Sequence, residues 1–536
     1  MKLYISCRSI KQSTFFSAAL AILMVFVGTI AGFSLERSEK ITILYTNDTH
    51  SHLLPFNLPG MGKNIGGIGR RYSLIKALRK ENPCLLLLDG GDIFQGTPFF
   101  SFFKGEADVM TFSQCGYEAT TLGNHELDDG LKNIIDQFHF STFPIICSNV
   151  KYKETQKLIF EPLKIIEKGG WRIGITGVIG KIAWDVIPNK YRDGLEMIDP
   201  EIALPEVLHQ LATSCDLRIL LSHSGYESDL QLAEKFPEID LIIGGHTNTT
   251  LEKPVLVAKN PKLVTATPEN GIGGTLVVQA FKWGVFLGKL DLKMDQSGKI
   301  SSYSGELLKI TASITEELGS PVSKAVCGFE SSFRLFTSQV IGSLQSEMTY
   351  PEDQKHVRDL PLGRFTCDAM MDFTHADLAI INSGSIRSPL PQGSITMDNV
   401  FSAYPFENTI VVLSIKGKEI LEMLTYLCET ADQKLSGFQF GGVTGLFDHL
   451  EKKAINVSIN GVPIELEKDY KLVTISYLIE GNLQAKEMFK AAKNITDTGF
   501  LMREAVIESF RKNKSLTPPP ADQIIYKLTP LEMKKK

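Results

Sequence analysis

The chain has 536 residues, of which 43% are hydrophobic and 22% charged, with a formal net charge of −5. That length predicts two or more domains, and the balance excludes a disordered or collagen-like chain. Without a basic excess, a protein that coats a nucleic-acid polymer is excluded as well.

At the N-terminus, Lys2, Arg8 and Lys11 precede an uncharged apolar run, followed by the small residues Ala31, Gly32 and Ser34. A basic segment, an apolar core and small residues read as an export signal over residues 1–35, with an uncleaved membrane anchor as the alternative. It is the one stretch long enough to span a bilayer, which excludes a polytopic membrane protein. The expectation is an exported protein that is periplasmic, extracellular or anchored facing outward. It contacts a membrane only if the segment stays attached. Eight cysteines are widely spaced with no CxxC pair, so no disulfide framework is predicted.

From about residue 40, short apolar runs alternate with helical segments. Runs at 41–45, 84–88, 173–178, 217–221 and 241–243 are rich in Leu, Ile and Val and lack polar alternation. Such runs suit strands buried on both faces of an α/β sheet. Segments 72–80 and 131–137 read as helices on those faces, and 274–294 as strands closing the sheet. Residues 305–319 carry apolar positions at helical spacing and predict an exposed connecting helix, broken by Gly319-Ser-Pro. Beyond it come a helix near 362–373, a strand at 378–382 and further α/β elements around 410–427. The expected organisation is a signal or anchor (1–35), a catalytic domain (38–300), a linker helix or hinge (301–335) and a second α/β domain (336–530). The class is α/β, or α+β taken over both domains.

Five segments of the first region share one pattern: an apolar run followed at once by metal-competent residues. They are Asn47-Asp48-Thr-His50, Gly91-Asp92, Gly123-Asn124-His125-Glu126, Ser222-His223 and Gly245-His246-Thr-Asn248. Ligands of open α/β sheets bind beyond the carboxyl ends of the strands. Parallel strands here bring Asp48, His50, Asp92, Asn124, His223 and His246 to one rim, with Asn248 as a further candidate. That set exceeds one tetrahedral ion and suits two divalent ions. Mixed nitrogen and oxygen ligation fits Zn, Mn, Co or Fe without choosing among them. His125 points elsewhere if Asn124 binds metal, which leaves it as a cationic proton donor. Asp128, three residues on, can hold the imidazolium. Glu126 and Asp129 read as supporting or solvated groups.

These motifs, in this order, resemble the calcineurin-like metallophosphoesterases, and with the second region the chain is similar to the 5′-nucleotidase / UDP-sugar hydrolase family from about 40 to 510. The resemblance implies a four-layer β-sandwich with flanking helices, a linker helix and a C-terminal α/β nucleotide-binding domain that rotates about a hinge. It implies that one ion is held by Asp48, His50, Asp92 and the Asn248 amide. The other is held by Asp92, Asn124, His223 and His246. Water between two such ions is acidified and can attack phosphorus in line as hydroxide. His125 paired with Asp128 is also what the family implies.

The second region carries the substrate side of the resemblance. Asn382-Ser-Gly384-Ser-Ile-Arg387 resembles the family's nucleotide-binding Asn-x-Gly-x-x-Arg loop, and Tyr404-Pro-Phe-Glu-Asn408 matches a second family stretch. Arg358 lines up with a phosphate-contacting arginine; its forked donors suit phosphate oxygens. Phe438, with Phe440 as the other option, matches one of two aromatics that sandwich the base. The second, normally in a Gly-Gly-Asp-Gly-aromatic stretch, is absent from Glu480-Gly-Asn-Leu-Gln-Ala-Lys-Glu-Met-Phe489. The implied activity is removal of the 5′-phosphate from nucleoside monophosphates. UDP-sugar or 2′,3′-cyclic-nucleotide hydrolysis on the same fold is one alternative. A binding protein with a vestigial site is the alternative of another class.

Overall fold

A computed structural model describes residues 37–58, 61–258, 271–355, 357–430, 437–480, 485–521 and 523–528. The expected signal, Cys7 and residues 534–536 lie outside them. The described cysteines are free thiols, as expected from their spacing.

Twelve strands of the first half form two sheets. We label them β1 (Lys40–Thr46), β2 (Leu85–Asp89), β3 (Ala119–Thr121), β4 (Ile145–Ile146), β5 (Leu163–Lys168), β6 (Trp171–Ile179), β7 (Leu217–His223), β8 (Leu241–Gly244), β9 (Val255–Ala258), β10 (Gly274–Val278), β11 (Phe286–Met294) and β12 (Ile300–Lys309). The first sheet runs β12-β11-β1-β2-β3-β4 and the second β9-β10-β8-β7-β6-β5. In the first, β1 to β4 are parallel. In the second, β6, β7, β8 and β10 are parallel.

The sheets pack face to face through Ile41, Ile43, Leu86 and Leu88 against Ile175, Ile219, Leu221 and Ile243. The intervening residues face helices. Leu44, Leu85 and Leu87 meet the helices Ile68–Glu81 and Glu106–Cys115. Val178, Leu220 and Ile242 meet Pro200–Ala212 and Tyr226–Lys235. Side chains alternate faces along a strand, so an unbroken run such as Leu85–Leu88 is what two buried faces require. The result is the four-layer sandwich that the family resemblance implies.

Two expectations fail. The segment 305–319 is not a helix: its start completes β12, an edge strand antiparallel to β11. Ser302, Ser304 and Glu306 face solvent, a period-2 pattern masked by the neighbouring Leu307 and Leu308. The helix begins later, at Pro321–Thr337, where the Ser320 hydroxyl accepts from the backbone N–H of Ser323. Gly319-Ser-Pro therefore opens a helix, with a side-chain cap and proline in its first turn. That helix buries Val322, Val326 and Phe333 against the first sheet's outer face. The stretch 274–294 is also not one sheet closure. Its two strands belong to opposite sheets, joined by a turn in which Phe281 and Trp283 take φ of +63° and +60°.

In the second half, a five-stranded sheet is built from β13 (Leu378–Asn382), β14 (Thr409–Lys416), β15 (Phe438–Gly441), β16 (Asp469–Ile475) and β17 (Lys493–Leu501), in the order β15-β13-β16-β14-β17. The helices Pro361–Thr374, Gly417–Glu429 and Met502–Asn513 share its apolar core.

Candidate metal centre

The five polar segments leave β1, β2, β3, β7 and β8 at one rim, where the two sheets meet. They leave it under strain. Asp48, His50, Asp92, His246 and Asn248 all take positive φ, between +48° and +74°. Residues with side chains hold that conformation only where the surroundings impose it, and such positions cluster at functional sites. Close approach of the loops needs glycine: a Cβ on Gly245 would lie 2.6 Å from the Gly90 carbonyl and 2.7 Å from His223 Nδ1.

Asp92 stands at the centre. One of its oxygens lies 3.1 Å from His223 Nε2 and 3.9 Å from His50 Nε2. The other accepts the backbone N–H of His125 at 2.9 Å. Asp48 is 3.9 Å from His50 Nε2, and its carboxylate accepts the backbone N–H of His246. Asn124 Oδ1 lies 3.0 Å from His246 Nδ1. Outer contacts fix two ring tautomers. His50 Nδ1 is 3.1 Å from the Phe94 carbonyl and His223 Nδ1 is 2.8 Å from the Gly90 carbonyl. A carbonyl only accepts, so Nδ1 carries a proton in both rings; His50, kept neutral by burial, turns its Nε2 lone pair inward, while His223 Nε2 faces the Asp92 carboxylate. Asn248 Oδ1 is buried and meets no hydrogen-bond donor among the described residues.

The electrostatics fit a centre built around cations. Burial pushes the Asp48 carboxyl up to about 7. Although burial opposes it, the Asp92 carboxylate drives His223 up to about 10, while His50 is held well below its ordinary range by burial. Clustered carboxylates, the inward lone pair of His50 and the buried Asn248 oxygen match divalent ions bound by mixed nitrogen and oxygen donors. His50, Asp92 and His125 form one group of donor atoms within 4.8 Å of one another, and Asp92, His223 and His246 form a second.

His125 faces this centre from a 3-10 turn, His125–Leu127. Its Nδ1 is 2.8 Å from Asp128 Oδ2, and its ring centroid is 5.2 Å from that of His50. Burial disfavours the imidazolium, but Asp128 and Asp92 outweigh it and hold His125 above its ordinary value. Glu126 takes the supporting one of the two roles read for it. Its buried carboxylate accepts backbone N–H groups of Asp92 (3.0 Å), Ile93 (2.7 Å), Phe94 (3.2 Å) and Gly123 (2.7 Å). It thereby ties the Asp92 loop to the Asn124 loop.

The second half approaches the same rim. Arg387 lies 5.9 Å over the Phe406 ring, and Phe406 lies 5.7 Å from the His125 ring. Asn382 ends β13 directly opposite Phe438 of β15, and its Oδ1 accepts from Ser385 Oγ across Gly384. Gln439 binds this face together. Its amide nitrogen donates to the Lys355 and Arg358 carbonyls, and its oxygen accepts from Leu360 N–H. Arg358 Nη1 donates to Gln354 Oε1 at 3.2 Å. Phe438 and Phe440, on one face of β15, both join the core, Phe440 against Phe447, and Met488 and Phe489 are buried in that core too. Residues 481–484 of the stretch lacking the second aromatic lie outside the described residues, while Glu480 takes an Asn189 hydrogen bond from the first half. Sequence reasoning missed Lys282, Glu352 and Lys355, which meet here.

Comparisons with known proteins agree with this geometry. Residues 41–249 match the model of the calcineurin-like phosphoesterases, and residues 340–491 that of the 5′-nucleotidase C-terminal domain. The chain is 28% identical to the 5′-nucleotidase of Rattus norvegicus over 90% of both chains. It is 27% identical to protein UshA of Yersinia enterocolitica over 95% of this chain and 98% of that one. The crystal structure of a 5′-nucleotidase precursor from Thermus thermophilus superposes with a TM-score of 0.81 at 28% identity, covering 92% of this chain and 100% of that one. Fold and rim together define a metal-dependent phosphoric-ester hydrolase. The chain belongs to the family of two-domain metallophosphoesterases that includes the 5′-nucleotidases and UshA.

Proposed function

We propose that the protein removes the 5′-phosphate from nucleoside monophosphates at a centre of two divalent ions. One is assigned to Asp48, His50, Asp92 and Asn248, the other to Asp92, Asn124, His223 and His246. Bound divalent ions neutralise phosphoryl oxygens and acidify water. The chain's own groups do the rest. His125, kept cationic by Asp128, donates to the phosphoryl or leaving oxygen. Arg387 and Arg358 contact phosphate and Asn382 and Gly384 shape the loop, while Phe438, packed in the second half's core, meets the base only by its edge. The observation that carries this reading is the chain of contacts from Asp92 through His125 and Phe406 to Arg387, which joins rim and substrate loop.

Residues 38–300 then form the catalytic domain and 336–530 the substrate domain, joined through 301–335. Residues 1–35 direct export, to a periplasmic, extracellular or outward-facing anchored location. Among the described residues no helix is long and apolar enough to cross a membrane.

Product identification tests the activity. Protein loaded with Mn or Zn is incubated with AMP, UMP, UDP-glucose and 2′,3′-cyclic AMP, with Asp92→Asn as control. Phosphate and nucleoside from the monophosphates are the expected products. Turnover confined to UDP-glucose, leaving UMP, or to the cyclic ester would replace the substrate assignment.

A further inference from the structure

Between the metal rim and the substrate loop lies a charged cluster that the catalytic scheme does not use. Lys282 comes from the first half, in the turn after β10. Glu352 and Lys355 come from the second. Glu352 bridges the two ammoniums, with Oε2 3.1 Å from Lys282 Nζ and Oε1 2.7 Å from Lys355 Nζ. The burial is inverted relative to an ordinary ion pair. The lysine side chains are 8% and 4% exposed, whereas the glutamate is 55% exposed. Lysines are rarely buried this far. Each ammonium has three N–H donors, and Glu352 is the carboxylate each pairs with among the described residues.

Both lysines are tied to the machinery. Lys282 sits 4.5 Å over the Trp283 ring, and the Trp283 backbone N–H donates to the Asp48 carbonyl at 2.7 Å. Trp283 in turn stacks on His52 at 4.4 Å. The Lys355 carbonyl accepts from Ser383 Oγ and Gln439 Nε2, so its backbone is stitched to the Asn382–Arg387 loop and to the strand of Phe438. The Arg387 charge acts on Glu352 and Lys355 and also on His50, His125 and His246. The cluster therefore lies between the Asp48 loop of the rim and the Asn382–Arg387 loop.

We propose that Lys282 and Lys355 form an anion subsite for a phosphate of the substrate other than the one hydrolysed, with Glu352 as its resident counter-ion. The buried cations are fixed, and the exposed glutamate is the member free to swing away. Substrates carrying a diphosphate gain contacts that a monophosphate lacks. Naming the anion a substrate phosphate rests on the nucleotide reading above; the subsite itself does not.

Calorimetry on the chelator-treated full chain tests it, because no hydrolysis intervenes. Inorganic pyrophosphate is the first probe and orthophosphate the reference. Pyrophosphate should bind the native protein more tightly than orthophosphate, and Lys282→Gln or Lys355→Gln should weaken it roughly tenfold each, as loss of a charge-assisted hydrogen bond implies. Glu352→Gln should tighten it several-fold, a change of sign that misfolding cannot imitate. Pyrophosphate affinity unchanged by the lysine variants, or weakened by Glu352→Gln, overturns the subsite. ADP against AMP is the second probe. If pyrophosphate behaves as expected while the metal-loaded protein releases phosphate from neither AMP nor ADP, the subsite stands and the nucleotide reading fails.

Discussion

The rim of the first domain and the face that the second domain turns toward it are built by opposite means. Every proposed metal ligand lies within four residues of a strand end, from His223 at the end of β7 to His50 and Asn248 four residues past β1 and β8. Their positions are set by short, strained loops and by backbone ties such as those of Glu126. On the substrate side, Arg387, Phe406, Phe438, Lys355 and Lys282 come from five separate segments, the last from the other domain. Packing and the shared amide of Gln439 assemble them. Chemistry is thus written locally and recognition is written by tertiary contact. Damage to the rim should abolish turnover, whereas damage to the face should shift affinity.

Asp92→Asn is the sharpest test of the first half of that contrast. It removes the charge that His50 and His223 both face. We expect kcat to fall by at least about 10³-fold, with metal loss by elemental analysis. Turnover within about tenfold of native would mean that the rim is not the site. Next in size, His125→Ala should lower kcat roughly 10²- to 10³-fold. Metal content should persist, because His125 Nδ1 is engaged by Asp128. Metal loss with turnover retained would make His125 a ligand, as its grouping with His50 and Asp92 within 4.8 Å allows.

The same contrast explains which features are legible in the sequence. Apolar runs that end in Asp, His or Asn at β1, β2, β3, β7 and β8 are readable because each ligand follows its strand directly. The pairing of the strands into two sheets comes only through the family resemblance, since continuous apolar runs say nothing about which sheet a strand joins. For Glu126 the sequence leaves supporting and solvated roles side by side, because an acidic residue in a polar loop looks the same whether it faces water or four backbone N–H groups. Residues 305–319 mislead because Leu307 and Leu308 mask the period-2 alternation of the edge strand that pairs with β11. Lys282 and Lys355 carry no motif at all; their burial together is a product of domain packing.

On the recognition face, Arg387→Ala should raise KM for AMP about 10- to 100-fold, the cost of a charge-assisted contact to phosphate, and leave kcat within a few-fold. An equal fall in kcat with KM unchanged would place Arg387 with the rim, and the contrast between the two regions would fail at that residue.

The smallest effect separates the regions through pH. His125 acts in its cationic form, and its folded value is raised because Asp128 and Asp92 outweigh burial. Activity is therefore complete well below that value and is lost as pH rises through it. Asp128→Asn removes the anion 2.8 Å from Nδ1. The imidazolium is then less favoured, and the alkaline limb of kcat should move down by roughly one pH unit. Below the new limb, turnover should approach native. Phe406→Leu, beside the same ring but in the second domain, removes no charge. It should leave the limb in place while raising KM. A limb that moves with Phe406 and not with Asp128 would mean that the titrating group belongs to the recognition face.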